Sequence, residues 1–250
     1  VGDADDSYDL GSIDDFLVQL RAGADLVMGN RFSGRIMPNA MPWLHQYLGN
    51  PVLSWLGRAL FRSSVGDFHC GLRAFRKSAW QAIQLQTSGM EYASEMVIKA
   101  VLFHQRIVEV PITLYKDGRS RPPHLRTWRD GWRHLRFMLA YAPNWVFLVP
   151  GGILTVLGAA VLAWLIPGPQ QVGGVTFDIN TMMVAAATLL FGVQVVLFGL
   201  LAKKYLVATR LVPDTASFAK IDKIMTLEYG LLVAFVLLAI GIFQIMHVFT

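Results

Sequence analysis

Between Arg136 and Lys203 the only Asp, Glu, Lys, Arg or His is Asp178. So long a run without charge cannot sit on the surface of a water-soluble domain, and it resolves into apolar stretches at 145–166 and 181–202, with a third at 229–249 that is broken only by His247. Each reaches roughly 30 Å as a helix, the thickness of a hydrocarbon core. None shows the amphipathic stripe a soluble core helix would turn inward. Pro150, Gly151 and Gly152 do not count against a span, because such residues are tolerated in membrane helices. Asp178 is read as keeping the 167–180 loop hydrated.

Charge is concentrated elsewhere. The first 136 residues hold 17 of 22 basic and 13 of 17 acidic side chains, although the chain as a whole is only 16% charged and 54% hydrophobic. The 167–180 loop has no Lys or Arg, whereas Lys116, Arg119, Arg121, Arg126, Arg129, Arg133 and Arg136 precede the first span and Lys203, Lys204, Arg210, Lys220 and Lys223 follow the second. The positive-inside rule therefore puts the N-terminal region and the 203–228 loop in the cytoplasm, and the 167–180 loop and Thr250 outside. This predicts an integral protein of a bacterial or archaeal plasma membrane. The expected organisation is a soluble part over 1–122, a juxtamembrane amphipathic helix over 123–143 and a membrane domain over 144–250. A single cysteine, Cys70, excludes an internal disulfide framework and a cysteine-rich zinc site.

From Leu125 to Tyr141, Trp128, Trp132, Leu135 and Leu139 share one helical face while Arg126, Arg129, Arg133 and Arg136 fan out on another. That is either an in-plane interfacial helix with guanidinium groups toward lipid phosphates, or a solvated charged face leading into the first span. Upstream, Ala24 to Met28, closed by Gly29 and Asn30, reads as a strand, as does Arg106 to Ile112. Ser12 to Asp15 has capping-box spacing before a helix, and Glu91 to Phe103 is helical. Strands alternating with helices predict an α/β layer with a largely parallel sheet.

The acidic run Asp3-Ala4-Asp5-Asp6 carries the chemistry. Carboxylates two residues apart at a strand end can both reach one hard divalent cation, which keeps sites for phosphate oxygens. Together with that run, the strings GDADDSYD, VMGNRF, GDFHCGLRAFRK, EYASEMVIKA, VEVPITL and DGRSRPPHLR resemble, in order and spacing over about residues 1–136, the family 2 glycosyltransferases that act on polyprenyl phosphates. These are the dolichol-phosphate mannose and glucose synthase group. The resemblance implies a partial GT-A-like, Rossmann-like α/β catalytic domain followed by three transmembrane helices, a nucleotide-sugar donor, a polyprenyl-phosphate acceptor at the lipid bilayer, and a Mg²⁺ or Mn²⁺ cofactor. No nucleic-acid partner is implied, and a homo-oligomer is left open.

Residue by residue, the resemblance implies that Asp3 and Asp5 bind the metal and, with Asp6, the donor. Ser7 stands where many members have glutamine. Arg31, in Gly29-Asn30-Arg31, is implied as a catalytic residue that meets phosphate; a helix cap or a pair with Asp25 is the plainer reading. Asp67, Gly71 and Arg73 are implied on the acceptor side, with a solvated basic face of Arg73, Arg76 and Lys77 as the alternative. Ser120 and Arg121, after Gly118 and Arg119, are implied as acceptor-phosphate ligands, where lipid headgroups compete for Arg121. His69 and Cys70 read as packed core groups rather than a soft metal pair. Residues 41–61, with Trp43, Tyr47 and Trp55, are either a helix lying on the membrane, as in the family, or a soluble helix pair. In the family more of the catalytic domain precedes the aspartate pair, so the chain is expected to be a fragment or to be completed by another polypeptide, and on its own to bind donor poorly and be inactive. A non-catalytic membrane partner with a degenerate transferase domain is the competing reading.

The expected reaction is a single displacement with inversion at the anomeric carbon. An acceptor phosphate monoester is already largely deprotonated near neutral pH, so the chemistry needs no strong general base.

Overall fold

The computed structural model describes residues 1–3, 5–87, 89, 91–118 and 127–249. The chain divides into two compact units, Val1–Val212 and Pro213–Thr250.

The first unit begins as a mixed α/β layer. Helix α1 (Ile13–Arg21) is followed by strand β1 (Leu26–Ile36), helix α2 (Asn50–Phe61), β2 (Arg73–Phe75), α3 (Lys77–Ile83), α4 (Glu91–Leu102), β3 (Ile107–Leu114) and α5 (Thr127–Ala140). The three strands form one sheet in the order β2-β1-β3, with β3 parallel and β2 antiparallel to β1. The sheet is thus mixed rather than largely parallel. Leu26 and Met28 point into a core shared with Phe68, Met96, Ile98 and Met138, while Val27 faces the opposite layer with Phe16, Val110 and Ile112, the alternation that a covered strand requires.

Two local expectations are corrected. Ser12 makes no side-chain cap to α1; Asp9 caps the preceding 3₁₀ turn, its Oδ1 accepting from Gly11 N at 2.8 Å. A short 3₁₀ turn has moved the capping carboxylate one turn back. Strand β1 does not close at Gly29 and Asn30 but runs to Ile36. Asn30 Oδ1 accepts from the amides of Phe32 and Ser33, both at 2.9 Å, and the register with β3 shifts between Asn30 and Arg35. The side chain supplies what the bulge takes from the ladder.

Helix α2 continues from a π-helical turn at His45–Gly49. Its inner face, Ser54, Gly57 and Phe61, is buried, and a Cβ on Gly57 would strike the Phe68 ring at 2.7 Å. The outer face presents Trp43, Tyr47 and Trp55. Helix α5 is similar, burying His134 and Met138 and exposing Trp128 and Trp132. The two helices pack against each other.

Among the described residues three helices are long and apolar enough to cross a membrane: Asn144–Leu165, Ile179–Ala208 and Leu227–His247. The first contains a π-helical turn (Asn144–Leu148) and α6 (Val149–Leu165); α7 (Ile179–Ala208) returns beside it. Their contact is a seam of small residues, Gly158 meeting Ala185 and Gly151 meeting Gly192, while Gly199 lies against Phe147 and Leu148, and a Cβ on Gly192 would sit 2.5 Å from Thr155 N. Close backbone approach through such residues is how helices associate without a hydrophobic drive. Between them, β4 (Gln170–Val172) and β5 (Val175–Phe177) form a hairpin turned at Gly173 and Gly174, whose φ values are 58° and 81°. Asp178 does more than keep this loop wet: its Oδ1 caps α7 by accepting from Asn180 N at 2.9 Å. Leu206, near the end of α7, and Val212 are buried in the same core as Leu26 and Met138, so the C-terminal end of α7 is docked on the α/β layer. The second unit contains α8 (Ala216–Ile224), capped by Thr215, and α9 (Leu227–Phe249).

Candidate functional site

The acidic loop is held from both sides. Tyr115 N donates to Ser7 O and Gly118 N to Asp5 O, each at 2.9 Å, and Tyr8 bridges Leu114, so the loop runs antiparallel to the chain leaving β3. Asp6 takes a left-handed φ of 58°, which its short side chain tolerates and which turns the loop. Asp5 Oδ1 accepts from the amide and hydroxyl of Ser7. Asp3 is exposed, with its carboxylate against Gly71, where any Cβ would collide with it. The buried Tyr8 hydroxyl accepts from Gly71 N at 3.1 Å. Burial, Cys70 and Asp3 raise the Tyr8 pKa while Arg31 draws it down, so the phenol stays neutral.

Arg31 does not meet Asp25. Its Nε and Nη2 donate to Asp67 Oδ2 and Oδ1 at 2.6 and 2.8 Å, a two-pronged fork, and its amide donates to the same carboxylate at 3.2 Å. Arg31 is 8% exposed and Asp67 0%. Burial alone would lower the guanidinium pKa; Asp67 more than reverses this and raises it. Two of five guanidinium N–H groups are committed, leaving the Nη1 edge for another anion.

Arg73 is not on a solvated face. It is 3% exposed, and its three nitrogens donate to the carbonyls of Cys70, Ala93 and Phe68, so it shapes the 68–72 turn from within. Burial lowers its pKa. Cys70 is a buried thiol that burial pushes up to about 11, an inert core group. Asp3, Tyr8, Arg31, Asp67 and Arg73 thus gather around one turn, 67–73, with Asp5 and Asp6 beside Gly118. Ser120 and Arg121 lie outside the described residues. Among the described residues no group of three or more His, Cys, Asp or Glu is drawn together as a metal site.

Two participants were missed in the sequence. Glu109 accepts from Gly66 N, Asp67 N and Asn30 Nδ2 at 2.9, 3.1 and 3.1 Å. The signal was available, a lone carboxylate between Val108 and Val110. The other is His134, whose ring meets His69 edge to face at 4.8 Å and whose Nδ1 lies 2.9 Å from Ser94 Oγ.

Both ring nitrogens of His69 are enclosed without a hydrogen-bond partner, although part of the residue reaches the surface. Burial first, then His134, Arg31 and Arg73, hold its pKa well below the ordinary 6.5, and burial lowers His134 despite Glu91 and Asp130. Below about pH 6.5 the unfolded chain therefore binds protons that the folded one refuses, and stability falls as pH falls. Glu95 is depressed because, although burial raises it, Lys99 and Thr87 more than compensate; its contribution is present above the ordinary carboxylate range and is lost only below it. The unfolding midpoint should drop from pH 7.5 to 5, and His69→Phe should flatten that slope; an unchanged slope would show that His69 is not held neutral.

No family model matches the chain. It is 40% identical over 203 residues to the low-salt glycan biosynthesis hexosyltransferase Agl6 of Haloferax volcanii, a match covering 80% of this chain and 48% of Agl6. It is 26% identical over 206 residues to glycosyltransferase AglJ of the same organism, covering 80% of this chain and 66% of AglJ. It is 30% identical over 110 residues to a dolichyl-phosphate hexose transferase, again of Haloferax volcanii, covering 44% of this chain and 46% of that protein. The chain thus spans about half the length of Agl6, and these relatives are named as glycosyltransferases.

Proposed function

We propose that the chain is the acidic-loop and membrane part of an inverting GT-A-like glycosyltransferase, moving a hexose from a nucleotide sugar to a polyprenyl phosphate at the cytoplasmic face of a membrane. The observation that carries this is the packing of the Asp3–Asp5 loop against the turn that holds Arg31, in the same unit as two helices long enough to span. The relative named for dolichyl-phosphate hexose transfer supports a lipid-linked acceptor.

The residues divide by charge. Asp3 and Asp5 offer hard oxygen ligands suited to Mg²⁺ or Mn²⁺, which when bound would offset charge developing on the departing nucleotide diphosphate. Arg31 offers the Nη1 edge of its guanidinium to the acceptor phosphate, and Arg121 is proposed for the same phosphate from its place in the sequence alone. Asp67 has both oxygens on Arg31 and is fully buried, so it does not serve as a general base. None is needed, because the acceptor phosphate is already anionic and displaces the nucleotide directly.

Membranes containing the chain joined to the donor-binding part that the resemblance implies, given labelled nucleotide sugar and polyprenyl phosphate, should form a chloroform-soluble, acid-labile labelled lipid only with a divalent cation present, and EDTA should abolish it. Unchanged incorporation in EDTA would refute the metal role. No incorporation when the folded chain is joined to that donor-binding part would favour a non-catalytic partner, a reading to which the internal saturation of Arg73 lends weight.

A further inference from the structure

We propose that Glu109 is a positioning residue that sets the Arg31 guanidinium through Asp67, an inference that rests on the acceptor-side role proposed above. The Glu109 carboxylate takes the consecutive amides of Gly66 and Asp67, Oε2 also lying 3.0 Å from Gly66 N, and so fixes the backbone from which the Asp67 carboxylate projects. Asp67 then holds Arg31 by both prongs.

The same carboxylate reaches the other end of the pair. Its Oε1 accepts from Asn30 Nδ2, and Asn30 is the residue before Arg31 whose Oδ1 builds the bulge in β1. Arg31, Asp67, Glu109 and Asn30 therefore form a closed ring in which both partners of the ion pair are tied to one anchor. Closure depends on close approach at Gly66, where a Cβ would lie 2.7 Å from Asn30 Nδ2. A half-buried carboxylate inside an apolar strand costs free energy unless it is well bonded, and charge-assisted bonds to three donors offset that cost while fixing geometry. Such support from a surrounding shell decides whether a binding group is held accurately enough to act.

The test is calorimetric binding of farnesyl phosphate, with farnesol as the phosphate-free control, to the whole chain in detergent. Glu109→Gln should weaken farnesyl phosphate about tenfold and farnesol less than twofold. In an Arg31→Lys background, which removes the fork, the same change should cost less than twofold, since its effect runs through Arg31. Asn30→Asp, which sets a second carboxylate against Glu109, should repeat the phosphate-selective loss and serves if Glu109→Gln fails to fold. Equal weakening of both ligands, or a loss undiminished in Arg31→Lys, overturns the proposal while leaving the function standing. Wild-type protein that binds farnesol as tightly as farnesyl phosphate overturns the acceptor reading and this inference with it.

Discussion

Asp67→Ala is expected to lower the stability of the α/β layer by about 3–5 kcal/mol, the range for removing one partner of a buried ion pair. The cost comes mainly from what is left behind. Arg31 is 8% exposed and would keep its charge with no counter-ion, while the amides of Arg31 and His69 would lose an acceptor. Asp67→Asn keeps an oxygen in place and should cost less. Arg31→Met combined with Asp67→Leu removes both charges and should recover much of the loss, because a buried pair replaced by apolar groups of similar volume is often tolerated. Denaturant midpoints in detergent, followed by near-UV circular dichroism, measure all three. A loss below about 1 kcal/mol for Asp67→Ala would place the pair in the solvent-screened class.

Asp3→Asn should behave in the opposite way, losing function and keeping the fold. The carboxylate is exposed and has no structural hydrogen bond among those described, so stability should move by no more than about 0.5 kcal/mol, as for an ordinary surface change. Transfer to polyprenyl phosphate should fall on the order of 10²–10³-fold, the scale for removing one group that stabilises developing charge. Gly71→Ala offers an independent route to the same defect, because its Cβ would displace the Asp3 carboxylate while leaving that ligand's charge and chemistry unchanged. Initial-rate assays with melting temperatures on the same samples separate the two effects. Wild-type rates in Asp3→Asn would remove Asp3 from the site.

The two variants also mark how far the sequence could be read. The spans were legible because hydropathy over twenty residues outweighs local detail, yet α7 continues through Lys203 and Lys204 to Ala208. Those lysines mark where apolar character stops; nothing in Lys-Lys-Tyr-Leu-Val-Ala breaks a helix, and the chain turns only where Arg210 takes a φ of 57°. The first half of β1 was legible as an apolar run. Its continuation was not, because the bulge is built by the Asn30 side chain and the following Phe-Ser-Gly reads as loop.

The acidic loop was visible from residue type and spacing, which is local information. The partner of Arg31 was not, because Asp67 is 36 residues away and Asp25 is nearer in sequence. Asp25 lies at the opposite end of β1, where it accepts from Arg106 N at 2.9 Å. The carbonyl partners of Arg73 were hidden for a related reason. Basic neighbours suggested a surface, but strand alternation turns Arg73 inward to carbonyls that no pattern of residue types announces.

The stereochemistry of the lipid product tests the central claim most directly. Nuclear magnetic resonance of the purified glycolipid, made from a nucleotide sugar of known anomeric configuration, should show a phosphodiester to the polyprenyl chain with that configuration inverted. A retained anomer, or a sugar joined to a hydroxyl instead of a phosphate, would contradict direct displacement by an acceptor phosphate.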